Sequence, residues 1–255
     1  MSSSLSRMLA VLDLFTNDTP IWSAESIATR LDCSVPTAYR YLRELGDAGL
    51  LRGAAAGQYV LGNKIIELDY QLRVGDPLLQ AASRPMRDLA QQSECDVALI
   101  ALSSHHLLTI HYESSQPEMR ASYGRGRRMP TFRGAMSLAL LSALGKPALR
   151  KLHATNGEEA RDTPGAEDFE VLNTQLKDIR KAGFATSVGA LDTQNAGFAI
   201  PIFDSENNVL ASLGFVMSLQ RFEMIESQRA LGRLRQCAQE ILLALSSSTD
   251  PAGPI

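Results

Sequence analysis

The chain has 255 residues, 45% of them hydrophobic and 21% charged, with a net charge of −3 at pH 7. That length allows one large domain or two smaller ones, and the apolar share suits a chain that buries a core. Mild acidity excludes a nonspecific nucleic-acid coat, which would be strongly basic, and no apolar run approaches the roughly 18 residues that span a bilayer.

Leu5, Met8, Leu9, Leu12 and Phe15 recur at helical spacing and predict a first helix with one apolar stripe. Asp13 interrupts the stripe, so the segment reads as an amphipathic helix rather than a signal peptide. Asn17 to Pro20 ends it. Trp22, the single tryptophan, is expected in the core beneath the helices that follow. Ser23 to Leu31 predicts a short capped helix, and Asp32 to Val35 suffice to turn into the next. Ser34 can cap that second helix with its hydroxyl, and Pro36 fits its first turn, where no backbone donor is missed. Ala38, Leu42 and Leu45 make its apolar face, while Thr37, Tyr39, Arg40, Tyr41 and Arg43 fall on the others. Gly46 and Gly49 mark its end. Two short helices joined by such a turn form a helix-turn-helix. Leu50-Leu51, a turn over Gly53 to Gly57, and Gln58 to Leu61 then predict a two-stranded wing.

Residues 1–75 carry seven basic and eight acidic side chains, a net of −1. Affinity for DNA must therefore come from a few well-placed arginines and from two copies acting together. Ser34, Pro36, Thr37, Tyr39 and Tyr41 are the candidates for phosphate or base-edge contacts, with Arg40 or Arg43 reading a guanine and Arg52 added from the wing.

Lys64 to Val74 predicts a helix too short to bury its apolar face alone, so it packs on the first domain, on a partner, or on both. Gly75-Asp76-Pro77 breaks it, and Leu78 to Gln92 resumes with Leu79, Ala82, Met86 and Leu89 inward. The predicted division is 1–61, a DNA-binding domain; 62–82, a linker; and 83–250, a second domain. In that second domain, Asp96 to Leu102 and Leu107 to Glu113 read as a hairpin around Ser103 to His106. Arg120 to Pro130 is Arg- and Gly-rich and a further candidate strand. Gly134 to Leu144 reads as a buried helix, Pro147 to Ala154 and Asp168 to Ala182 as amphipathic helices, Phe198 to Phe203 and Val209 to Met217 as paired strands, and Ile225 to Leu245 as a last helix. The fold class is α+β, with an antiparallel sheet flanked by helices.

Three separate cysteines, Cys33, Cys95 and Cys237, suggest free thiols in a reducing, cytoplasmic setting. His105, His106 and His111 lie near Cys95 and Glu113, but His105-His106 falls at a turn tip and no fourth ligand is evident, so no metal or cofactor is expected. Cys95 as a hydrolytic nucleophile lacks any oxyanion-hole signal. Arg120, Arg125, Arg127, Arg128 and Arg133 cluster closely. With 127–130 as a strand, Arg127 and Met129 share a face, which makes Arg127 a candidate carboxylate clamp; the alternative is a solvated loop or a subunit contact.

The chain resembles the IclR family of bacterial transcription regulators. The resemblance rests on Leu31 to Leu51, on Gln58-Tyr59-Val60-Leu61-Gly62 after the wing, on Ile179-Arg180-Lys181-Ala182-Gly183-Phe184-Ala185, and on Ala199-Ile200-Pro201-Ile202-Phe203-Asp204. It implies a winged helix-turn-helix, a dimerising linker helix, and a C-terminal GAF-like domain with a small-molecule effector. It also implies dimers or tetramers on a double-stranded operator. The sequence departs from the family pattern at Phe132 to Leu138 and at Gly189 to Gln194. Pocket positions implied by the resemblance are Met129, Arg133, Ala135, Met136, Ser187, Gly197, Gly214 and Val216. The last four are smaller or more apolar than is usual, which predicts open space and an aromatic or larger aliphatic carboxylate. A small-acid or amide enzyme and a protein-interaction adaptor are the alternative readings.

Overall fold

The computed structural model describes residues 3–115 and 124–248. The chain divides into two units, Met1–Asp76 and Pro77–Ile255. In the first, Ser3 caps α1 (Ser4–Ala10) through the Ser6 N–H, and a 3-10 turn follows at Leu12–Leu14. Met8, Leu12 and Phe15 of the expected stripe pack on the core. Val11 is the residue driven fully inside, whereas Leu5 and Leu9 stay exposed. β1 (Trp22–Ser23) leads into α2 (Ala24–Arg30), where Ser23 and Ser26 cap each other's backbone. Trp22 donates its indole N–H to the Leu14 carbonyl at 2.9 Å and packs on the core.

Asp32, at φ 49°, turns the chain into α3 (Val35–Asp47), capped by Ser34. β2 (Leu51–Gly53) and β3 (Gln58–Leu61) form the wing, and β1 joins them in an antiparallel sheet of order β1-β3-β2. Gly62, just after the wing, sits so close to Gly49 that a Cβ there would lie 2.1 Å from the Gly49 carbonyl oxygen. Gly62 N–H also bonds the Leu50 carbonyl at 2.8 Å. The glycine of the Tyr-x-Leu-Gly run is thus fixed by backbone crowding. α4 (Lys64–Gly75) ends the unit and buries none of its residues.

The second unit is a six-stranded antiparallel sheet with helices on both faces. α5 (Pro77–Ser93) precedes β4 (Asp96–Ser103) and β5 (His106–Glu113), the expected hairpin, with a register shift at Leu99/Ile100. β6 is only Arg128–Met129. α6 (Ala135–Ala143), α7 (Lys146–Thr155), a short α8 (Gly157–Arg161) and α9 (Phe169–Ala182) follow, and Gly183 ends α9 at φ 77°. β7 (Ala185–Val188), β8 (Asn195–Phe203), β9 (Val209–Ser218), a short α10 (Leu219–Met224) and α11 (Ser227–Ser248) complete the chain. The strand order is β6-β5-β4-β9-β8-β7. One core lies between α5, α11 and the sheet, around Met86, Leu99, Phe198 and Phe215. The other lies under α6, α7 and α9, around Ile100, Leu107, Met136 and Leu140. Of the arginine-rich stretch, Arg120 lies outside the described residues.

Candidate nucleic-acid interface and effector cavity

Pro36 occupies the first turn of α3, and the Ser34 hydroxyl accepts the Thr37 N–H at 3.4 Å. The Ser34 and Thr37 hydroxyls lie 2.9 Å apart, so the two polar groups at the helix start act as a pair. Tyr39 is 47% exposed and donates its hydroxyl to Glu25 of α2 at 3.3 Å, tying the two helices across the turn. The Glu25 carboxyl is held below its ordinary range, first by its own backbone N–H and then by Ser23, while the charge of Glu25 pushes the Tyr39 phenol up. Arg40 is exposed, with its guanidinium 5.6 Å from the Tyr41 ring centre. Arg43 is exposed beside Glu44, and Arg52 is exposed on β2 opposite Val60. Tyr41 corrects the sequence expectation. It is 4% exposed, packs with Ala38, Leu42 and Leu45, and turns its hydroxyl to Ser4 at 3.2 Å, so it faces the core of the unit and not a duplex.

In the second unit, α6 starts at Gly134, held at φ 90°. The Ala135 N–H donates to Ser187 Oγ of β7 at 2.9 Å, and Ser137 donates its hydroxyl to the Pro130 carbonyl at 2.6 Å. Next to this helix start lies a cavity of about 30 Å³, and the structure brings Met129, Ala135, Met136, Ser187, Gly197 and Val216 together around it. Leu191 and Asn195 line it as well, and no spacing in the sequence marked them. Gly214 is not in the lining because Met136 covers it: a Cβ there would meet Met136 Cγ at 2.7 Å. The open space expected from the small side chains is therefore filled, by Met136 over Gly214 and by Leu191 over Gly134.

Arg127 and Arg133 correct the expectation of a clamp. Both are exposed and neither lines the cavity. Strand pairing brings Met129 inward opposite Leu107, as the alternation predicts, but β6 spans two residues and Arg127 lies just before it, its carbonyl accepting the Thr109 N–H at 2.9 Å. Arg133 precedes the tight turn at Gly134 and points to solvent.

His105 and His106 are exposed at the hairpin tip, and among the described residues no three metal-binding side chains converge. His111 instead pairs with Glu113 at 3.0 Å, with Arg87 of α5 at 3.7 Å from the same oxygen. Burial lowers the His111 pKa and outweighs the opposing effect of Glu113. Cys95 is 1% exposed, and burial pushes its thiol up, the opposite of the accessible, low-pKa thiol that a nucleophile needs. No helix among the described residues is long and apolar enough to cross a membrane.

Comparison with known proteins matches both units of the chain. Residues 4–54 match the IclR helix-turn-helix domain, and residues 74–243 match the C-terminal domain of the bacterial transcriptional regulator IclR. The HTH-type transcriptional regulator KdgR of Escherichia coli (strain K12) is 24% identical over 241 residues, 94% of this chain and 91% of that protein. An IclR transcriptional regulator from Alicyclobacillus acidocaldarius shares the fold, with a TM-score of 0.80 at 20% identity over 96% of this chain and 99% of that one. An IclR homologue from Microbacterium hydrocarbonoxydans, solved in complex with 4-hydroxybenzoate, superposes with a TM-score of 0.78 at 26% identity, covering 96% of this chain and all (100%) of that one.

Proposed function

The chain belongs to the IclR family of bacterial transcriptional regulators, and from that premise we propose that it is an operator-binding switch set by an aromatic or larger aliphatic carboxylate. One observation carries the reading: an exposed, capped helix start in one unit and a small cavity at a helix start in the other. In this reading α3 enters the major groove. Ser34, Pro36, Thr37 and Tyr39 contact phosphates or base edges, Arg40 or Arg43 reads a guanine, and Arg52 of the wing meets the backbone. Tyr41 is left out because it is buried.

The effector carboxylate lies at the first turn of α6, where backbone N–H groups have no intrahelical acceptor and the helix dipole favours an anion. Ser187 and Asn195 lie beside it. The 4-hydroxybenzoate of the Microbacterium hydrocarbonoxydans homologue supports an aromatic acid as the first class to screen. Ile66, Leu68, Tyr70, Leu72 and Val74 of α4 are all exposed, which supports pairing of two copies through this helix. A pair of copies sets two reading heads about one helical turn of DNA apart, or a multiple of that.

The test is a fluorescence titration of the protein's own promoter against scrambled duplex, with and without aromatic and aliphatic acids. Selective, salt-steep binding that an acid shifts supports the reading. Equal affinity for both duplexes under every condition refutes it. Sedimentation at micromolar concentration tests the pairing, and a monomer throughout would remove it.

A further inference from the structure

The cavity at α6 is too small for the ligand class just proposed. Its volume is about 30 Å³, whereas an apolar cavity that takes a benzene ring is on the order of 150 Å³. The wall must therefore move. The sheet beneath α6 shows where. Ala199 of β8, Gly214 of β9 and Ala98 of β4 are paired in one row across three adjacent strands. All three are small, and Ala98 and Ala199 are fully buried. Neighbouring strands lie about 4.8 Å apart, so the row is a flat floor roughly 10 Å wide. The next residue in the row is Tyr112 of β5, whose hydroxyl donates to the buried Asp96 carboxylate. Nothing on this floor projects upward between Ala199 and Tyr112. Met136 covers its centre, and Met129, 6% exposed like Met136, stands beside it in the cavity lining.

Methionine is unbranched, turns about three bonds at little cost, and makes favourable contacts with aromatic rings. Leucine in the same place would be stiffer. We propose that Met136, seconded by Met129, is the specificity-determining wall of the effector site: it swings off Gly214 so that a flat aryl carboxylate lies on the Ala199–Gly214–Ala98 floor with its carboxylate at the start of α6. The inference rests on reading the second unit as an effector domain. It adds which residue yields, and it makes ring size the property that Met136 controls. Two-carbon acids would demand least of this movement, and two-ring acids most.

The test uses the full chain and isothermal titration with glyoxylate, benzoate, 4-hydroxybenzoate and 2-naphthoate as probes. Met136→Leu keeps volume and polarity and is a swap that cores tolerate. It is expected to weaken 2-naphthoate by about tenfold or more relative to glyoxylate, the scale on which a pocket senses one or two methylenes. Met136→Ala is expected to shift the ratio the other way. Thermal melting shows whether each variant folds, and the ratio between ligands in one folded variant is independent of its stability. The same ratio in wild type and both variants overturns the proposal while leaving acid sensing in place. Glyoxylate binding with no aryl acid bound also overturns it. No acid bound by any form overturns this proposal and the effector reading together.

Discussion

Arg180 Nε donates to the Ser142 carbonyl at 2.6 Å, and its Nη2 reaches the Leu144 carbonyl at 3.2 Å. The arginine of the Ile-Arg-Lys-Ala-Gly run therefore closes the C-terminal turn of α6 from α9, at the end of the helix opposite the cavity. The last carbonyls of a helix have no internal donors, and a cation there also suits the dipole. Arg180 is exposed, so the bonds compete with water. Arg180→Ala is expected to cost about 1–2 kcal/mol of stability in the second unit. Urea unfolding followed by circular dichroism reads this directly, and an unchanged midpoint would show that water replaces the guanidinium.

Two neighbouring residues on α3 should behave oppositely. Arg40 is exposed and Tyr41 is 4% exposed. Arg40→Ala is expected to cost roughly 1–3 kcal/mol of operator affinity if the guanidinium reads a guanine. Tyr41→Phe removes only the bond to Ser4, so operator affinity should hold while stability falls by about 1 kcal/mol. Anisotropy titrations and melting curves on the two variants separate the roles.

Gly62 leaves no room for a methyl group: the obstruction is the Gly49 carbonyl at 2.1 Å and the Leu50 carbonyl carbon at 3.0 Å, both backbone. Gly62→Ala must part the wing from the end of α3, and overpacking of this kind costs about 1–3 kcal/mol or more. The expected result is a lower melting temperature of the first unit and weaker operator binding. Gly53→Ala, where nothing lies within 4 Å, serves as the control.

His111 gives the stability a dependence on pH. Burial lowers its folded-state pKa below the ordinary 6.5, so the unfolded chain takes up the proton first. Its contribution is complete above about pH 6.5 and is lost as pH falls toward the folded value. Urea midpoints should decline over that interval in the wild type, and His111→Gln should flatten the decline. Equal slopes in both proteins would assign the decline to other groups.

The three thiols should differ sharply in reactivity. Cys237 is 3% exposed, and burial pushes its thiol up to about 12. Cys95 is shielded in the same way, whereas Cys33 is half-buried at the turn before α3. A thiol reagent at pH 8 should label Cys33 alone in the native protein and all three after unfolding, with mass spectrometry locating the label.

The reading head was legible because its signals are local. Ser34, Pro36 and the apolar spacing of Ala38, Leu42 and Leu45 specify α3 within a few residues. Even the error at Tyr41 had a signal, since it stands three residues after Ala38 and four before Leu45, on the same helical face. The positions gathered around the cavity came from the resemblance, not from periodicity. What covers Gly214 could not be read, because Met136 and Gly214 meet only when α6 is laid on the sheet. Arg127 went astray for a related reason. Alternation placed Met129 correctly, but a two-residue strand cannot aim the side chain before it. β7, α8 and α10 are short and carry too few turns or alternations to declare a period.

The bond from the Ala135 N–H to Ser187 Oγ bears on which molecules could be sensed. An arriving anion does not find this donor idle; it must win it from a neutral hydroxyl. An ionised acid is the stronger acceptor and can make that exchange, whereas its methyl ester or primary amide offers little more than serine already provides. If the effector binds there as proposed, the helix start would discriminate by charge, independently of shape, and would ignore the uncharged precursors of that acid.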